Sequence, residues 1–244
     1  MTTNYDPIAE QYQRAKQQPW RTYVECFTLL ELVGDLNGLT VLDLACGDGF
    51  YTRLLRRRGA LRATGVDLSP RMIELARQQE IDHRLGIEYL VGDAKALLVA
   101  ETYDLAVAAY LLNYAHDYQE LSAMCRGIAA RLVPGGRFVS VNANPACDFW
   151  TAPSYRTYGF EVIPREPQRD GAPIAWTFHL DDGPLSIENY FLDRSAHEQA
   201  LAEAGFREIR WHQPRLAPNA SPPEYEGWRS LLECPPFTFL ECLR

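Results

Sequence analysis

Apolar positions along this chain recur in two rhythms that take turns. Over residues 6–33 they fall at three- and four-residue steps (Ile8, Ala9, Tyr12, then Tyr23, Val24, Phe27, Leu30, Leu32), which predicts two helices divided at Pro19-Trp20. A turn at Asp35-Leu36-Asn37-Gly38 leads into residues 39–45, LTVLDLA, apolar on both faces except for Asp43, the signature of a central parallel strand. The alternation continues with a helix over 50–58, a strand over 62–67, and a helix to about residue 79 with Ser69 as N-cap and Pro70 at its first position. Strands over 87–91 and 103–109, a long amphipathic helix over 118–132, a Pro134-Gly135-Gly136 turn and a strand over 137–141 complete the run.

Strands alternating with helices of this length predict an α/β fold: a Rossmann-like, doubly wound parallel sheet covered on both faces. After Asn144 the texture changes. Residues 145–190 are rich in Pro, Gly and aromatics, with strand-like runs at 175–180 and 186–192, which predicts a small antiparallel insertion. A helix over 195–204 stops at Gly205, a strand follows over 207–212, and residues 237–242 read as an edge strand pairing back into the sheet.

Composition narrows the partners. With 244 residues and 47% apolar side chains, the chain can bury one substantial core. Its net charge of −8 argues against a partner bound through phosphates, since nucleic-acid binders use a basic face. The one dense basic run, residues 53–62, falls on a predicted helix and the turn after it, where charge runs form solvated faces. Six scattered cysteines, without C-x-x-C or metal-ligand spacing, read as buried thiols of a reducing compartment. The first residues show no apolar signal region, and no stretch approaches the roughly 18 apolar residues of a membrane span. The expectation is a cytoplasmic protein with no metal, no nucleic acid and no membrane partner, as a monomer or homodimer.

The segment VLDLACGDG, residues 41–49, carries the chemistry. A buried strand ends in Gly47 and Gly49, which permit a tight turn that lets backbone approach a ligand closely. Asp67 closes the second strand 20 residues after Gly47, where a carboxylate can accept from two ribose hydroxyls. Asp43 is an acid in an apolar run; it needs a partner, either backbone amides of the glycine loop or a cationic ligand group. A dinucleotide fingerprint would place a third glycine at position 52, which is Thr52, so a ribose ligand without a pyrophosphate fits better.

These segments resemble the class I S-adenosylmethionine (SAM)-dependent methyltransferase family, through VLDLACGDG, GVDLSPRMIELAR, VGDAKAL, YDLAVAAYLLNYA and LVPGGRF in order over residues 39–141. The resemblance implies a seven-stranded sheet with a reversed last strand, and SAM as cofactor. It implies that Gly47 and Gly49 flank the methionine part, with Asp43 and Ala45 of the same motif also binding the cofactor, and that Asp67 holds the ribose. Leu68 and Met72 would pack on the adenine, Asp93 and Ala94 would meet its amino edge, and Ala109 and Tyr110 would face the methionine. The expected organisation is a single SAM-dependent methyltransferase domain: an N-terminal helical lid over 1–36, the SAM-binding core over 37–144, a substrate cap over 145–192, and a C-terminal helix and strands over 193–244.

Aromatics gather in the lid, in the loop after the fourth strand and in the cap. Tyr5, Trp20, Tyr110, Asn113, Trp150, Trp176 and Tyr190 are the candidate lining of a pocket for a flat acceptor. No essential base stands out; Tyr5 is the favoured orienting group, with His116 and His179 as alternatives. Further segments, YDPIAEQYQRAKQQPWR, LDLACGDGFYTRLLRRRGA and GPLSIENYFLDRSAHEQALAEAGF, resemble the toxoflavin-biosynthesis group, which N-methylates an azapteridine (pyrimidotriazine) ring in secondary metabolism. Methylation at O or N of another natural-product scaffold, and a non-catalytic SAM-binding regulator, stay open as alternatives.

Overall fold

The computed structural model describes residues 4–97, 101–220 and 222–244. Five strands follow the βαβ rhythm: β1 (Thr40–Leu44), β2 (Arg62–Asp67), β3 (Glu88–Val91), β4 (Tyr103–Ala109) and β5 (Leu132–Ala143). With β9 (Arg207–His212) and β10 (Phe237–Leu243) they form one seven-stranded sheet in the order β3-β2-β1-β4-β5-β10-β9. Strands β1 to β5 run parallel, and β10 runs antiparallel to both neighbours. This is a Rossmann-like sheet with a reversed last strand. The reversed strand is not the edge: β10 lies between β5 and β9, where Phe239 and Leu240 are buried, and β9 forms the border.

Helices cover both faces. Ahead of β1 stand α1 (Ala9–Ala15), a π-type segment (Arg21–Cys26) and α2 (Phe27–Val33); between the strands come α3 (Phe50–Arg57), α4 (Pro70–His83) and α5 (Tyr118–Ala129). Ser69 caps α4 by accepting from the Met72 amide at 3.1 Å, as its position before Pro70 predicts. Further on, α6 (Arg194–Glu203) is capped by Asp193, and α7 (Pro222–Glu233) precedes β10. One core lies under the N-terminal helices, around Trp20, Leu29, Val107 and Phe239; the other lies under α5 and α6, around Leu44, Phe138 and Leu201.

The insertion after β5 is a three-stranded antiparallel sheet of β6 (Phe160–Pro164), β7 (Pro173–Leu180) and β8 (Gly183–Tyr190). Two of its strands match the expected runs, and β6 is additional. Its sequence, FEVIP, is short and mixed in polarity and pairs only along β7, so no repeating pattern announces it. The helix α7 is likewise additional, because the prolines at 222 and 223 read as loop although proline suits a helix's first turn.

Candidate functional site

The carboxyl ends of β1 to β4 frame a cavity of about 330 Å³, within the range of small-molecule sites. Such a position, at the ends of the central parallel strands, is where open α/β sheets bind ligands. Ala45 leaves β1 at φ 54° and Tyr110 leaves β4 at φ 65°, both left-handed. For residues with a side chain that conformation costs on the order of 1–3 kcal/mol, and it persists where the surroundings enforce it, often at ligand sites.

Asp67 stands at the centre of the wall. Its Oδ2 accepts from the Gly47 amide at 2.7 Å and its Oδ1 from the Ser69 amide at 2.9 Å, which ties the end of β2 to the glycine loop. Burial pushes its carboxyl up, and the two amides oppose that shift. Asp93 also lines the cavity, beside Ala94 and Lys95, and accepts from the Lys95 amide at 2.8 Å. Ala45, Asp67, Leu68, Asp93 and Ala94, all expected around the cofactor, therefore share one cavity.

The other expected cofactor residues sit behind this wall. Asp43 is buried in β1 and accepts from Thr52 Oγ1 at 2.5 Å. Its hydrogen-bond partner in the protein is thus a side chain of α3 rather than the amides of the glycine loop. Burial pushes its carboxyl up to about 7 in spite of that bond. Met72 is core, with 1% of its surface exposed. Gly49 turns at φ 79° and lets the Tyr89 ring approach: a Cβ there would stand 2.3 Å from the Tyr89 hydroxyl. Gly47 turns at φ 57°, and its Cβ would stand 2.7 Å from Lys16 Nζ. Ala109 and Tyr110 lie outside the lining of this cavity.

Sequence reasoning missed the basic side chains that the lid brings down. Lys16 follows α1 and reaches Asp48 Oδ1 at 3.2 Å, while Arg53 Nη2 reaches Asp48 Oδ2 at 3.4 Å. Burial works to lower the Lys16 pKa, but Asp48 outweighs it and holds the ammonium charged. Deeper still, Arg21 Nη1 donates to both oxygens of Glu25 at 3.0 Å, and Glu25 also accepts from Tyr51 at 2.6 Å and from Tyr110. The guanidinium lies over the Trp20, Tyr110 and Phe178 rings. Its Nε is buried without a hydrogen-bond partner. Nothing in the local sequence RTYVEC marks Arg21 as buried, because its burial comes only when the N-terminal helices pack onto the sheet and the cap.

The candidate acceptor residues divide into groups. Tyr5 lines the cavity and its hydroxyl bonds that of Tyr114, one of the aromatics of the loop after β4. Burial pushes the Tyr5 phenol well up, so at neutral pH it donates a hydrogen bond rather than removing a proton. Trp176, buried with an unpartnered Nε1, lies 6.0 Å from the Tyr110 ring. Asn113 accepts from the Ala143 amide at 3.1 Å, and its Nδ2 is also buried and unpartnered. Trp20 is fully buried core, 4.7 Å from Phe160 and 5.3 Å from Phe237.

Others fall away from the cavity. Trp150 is 55% exposed and bonds the Glu166 carbonyl; it stands on the outside of the cap. His116 pairs with Glu120 at 2.8 Å and stacks on Tyr190 at 4.0 Å, and His179 pairs with Glu161 at 2.8 Å; neither lines the cavity. An aromatic or imidazole gives the same composition signal whether its strand turns it inward or outward, so sequence alone places all of these together. Among the described residues no cluster of three or more His, Cys, Asp or Glu could hold a metal, and no helix is long and apolar enough to cross a membrane.

Comparison with known proteins agrees with this geometry. Residues 41–136 match the family model described as a methyltransferase domain. The ubiquinone biosynthesis O-methyltransferase of Coxiella burnetii (strain Dugway 5J108-111) is 32% identical over 133 residues, 53% of this chain and 55% of that protein. The N-demethylindolmycin N-methyltransferase of Streptomyces griseus is 26% identical over 176 residues, 71% of each chain. The chain thus spans little more than half the length of the first of these relatives. Among solved structures, SAM-bound CalS10, an amino pentose methyltransferase of Micromonospora echinaspora, superposes with a TM-score of 0.60 at 19% identity, covering 97% of this chain and 96% of that one. Residues 41–136 are thus similar to a methyltransferase domain, and the chain as a whole has the fold of SAM-dependent methyltransferases.

Proposed function

We propose that the protein transfers a methyl group from SAM to a small heteroaromatic acceptor, by N-methylation of a didemethylated pyrimidotriazine (azapteridine) in toxoflavin biosynthesis. The observation that carries this reading is the cavity itself, with Asp67 and Asp93 on one side and the Tyr5–Tyr114 hydroxyl pair on the other. Bound there, SAM supplies an electrophilic methyl on a sulfonium. The chain's own residues do the rest. Asp67 and Asp93 hold the nucleoside, and the Tyr5–Tyr114 pair orients the acceptor by hydrogen bonding. Alignment supplies much of the rate in such a displacement, and the N-terminal residues and the loop after β4 wall the cavity.

The two curated relatives are named for different atoms, oxygen in ubiquinone biosynthesis and nitrogen in N-demethylindolmycin. The relative named for nitrogen aligns over the larger share of both chains, which favours nitrogen here. The net charge of −8 supports a small acceptor over a nucleic acid. The protein would work in the cytoplasm, without a metal, as a monomer or homodimer.

Incubation with SAM and the didemethylated azapteridine, followed by mass spectrometry, tests the substrate. Mono- and dimethyl products support it, and absence of both overturns it. Methylation of a different scaffold in an acceptor panel keeps the transferase and replaces the substrate. SAM binding with no S-adenosylhomocysteine released across that panel replaces the enzyme with a SAM-binding regulator.

A further inference from the structure

We propose that Cys147 and Cys234 form a dithiol redox site, a place of reversible oxidative modification independent of the methyl-transfer reading. Cys147 lies in the segment leaving β5, and Cys234 follows α7 directly. Main chain ties the two segments together. The Asn144 amide donates to the Pro236 carbonyl at 2.9 Å, Asn144 Nδ2 donates to the Pro235 carbonyl at 2.9 Å, and the Cys147 amide returns to Asn144 at 3.0 Å. Tyr155 bridges the pair: its hydroxyl donates to the Cys234 carbonyl at 2.7 Å and stands 3.9 Å from Cys234 Sγ. The Cys147 thiol lies close enough to Tyr155 and Cys234 for both to act on its protonation. The two cysteines are thus brought onto neighbouring segments beside Tyr155, although 87 positions separate them in the chain.

Cys234 is the one cysteine of the six that is not buried. Cys234 is partly exposed, and Cys147 borders an open concavity of about 640 Å³ beside Gln168 and Arg169. Cys125 and Cys242 also influence one another electrostatically, but both are wholly buried, beyond an oxidant's reach.

Exposure also orders the chemistry. Burial, and then the neighbouring Cys234, push the Cys147 thiol up to about 12, so it is held as a thiol at neutral pH. Cys234 meets the oxidant first. With glutathione disulfide, the Cys234 thiolate attacks one sulfur and displaces one glutathione thiolate. Cys147 then gives up its proton to solvent and attacks the Cys234 sulfur, displacing the second glutathione. Two protein thiols lose two electrons and two protons, and one glutathione disulfide becomes two glutathione thiols. The new bond joins the root of the cap to the start of β10. From there Tyr155 stacks on Phe160 at 5.4 Å, Phe160 on Trp176 at 5.9 Å, and Trp176 lies 6.0 Å from Tyr110 at the end of β4.

The test is incubation of the full chain with glutathione disulfide at pH 8, followed by intact mass and non-reducing peptide mapping. The expected result is a loss of about 2 Da, one peptide linking 147 to 234, and full reversal by dithiothreitol. Cys147→Ser should retain glutathione on Cys234 without closing. Unmodified thiols at both positions, a lasting glutathione adduct on wild-type Cys234, or a disulfide through other cysteines would each overturn the proposal. The wild-type map decides the pairing by itself, so the test holds even where the Cys147→Ser variant misfolds.

Discussion

The Thr52 hydroxyl donates to a carboxylate oxygen of Asp43 at 2.5 Å, binding the first turn of α3 to the middle of β1. The residue that takes the place of a third glycine is thus also the residue that makes a buried acid tolerable. Burial still pushes the Asp43 carboxyl up to about 7, above an ordinary aspartate near 4. The folded protein keeps a proton that the unfolded chain releases, so this group's contribution to stability falls as pH rises from about 4 to 7 and is level beyond. Asp43→Asn removes the dependence. Denaturant midpoints at pH 5 and pH 8 should shift in the variant's favour at the higher pH; a difference that does not vary with pH would contradict the assignment.

Asp67 gives a prediction for the cofactor. Replacing it with alanine should weaken SAM binding by at least about 1–2 kcal/mol, roughly 5- to 30-fold, the scale of lost charge-assisted hydrogen bonds. Calorimetry reads this directly. Unchanged affinity would remove Asp67 from the site and leave it a purely structural tie between Gly47 and Ser69.

Tyr5→Phe should lower turnover by roughly tenfold, the worth of one orienting hydrogen bond, while SAM affinity changes less. Measuring kcat on the methylated acceptor beside the SAM Kd separates the two effects. Equal losses would make Tyr5 part of the cofactor lid instead of an acceptor-orienting group.

Arg21→Leu should destabilise the fold by about 3–5 kcal/mol, because it leaves Glu25 charged, buried and facing two phenols. Combining it with Glu25→Leu should recover much of the loss. Guanidinium denaturation of the single and double variants checks both halves, and a double variant as unstable as the single one would show that packing, not charge, is at stake.

What the sequence makes legible follows from where each signal is written. The strands of residues 39–141 and the acids Asp67 and Asp93 belong to short stretches whose pattern is local, so their positions at one cavity can be foreseen. Thr52 stands out in the sequence only for the glycine it displaces, since its bond to Asp43 spans nine residues and two elements. The clusters of Arg21, Glu25, Tyr51 and Tyr110, and of Lys16 and Asp48, come together only when the N-terminal helices fold onto the sheet. The cap is visible as a change of texture, but which of its aromatics faces inward depends on a register that β6 helps to set. Trp150 and Trp176 look equivalent in the sequence, yet one ends exposed and the other buried.

Asn4, Tyr5 and Asp6 form part of the cavity wall, and Asp6 accepts from the Ser69 hydroxyl at 2.5 Å and from the Arg71 amide at 3.2 Å. Two hydrogen bonds thus pin the N-terminal stretch of that wall to the start of α4. A nucleoside seated in the cavity would lie against a surface contributed in part by the first residues of the chain that the structure describes.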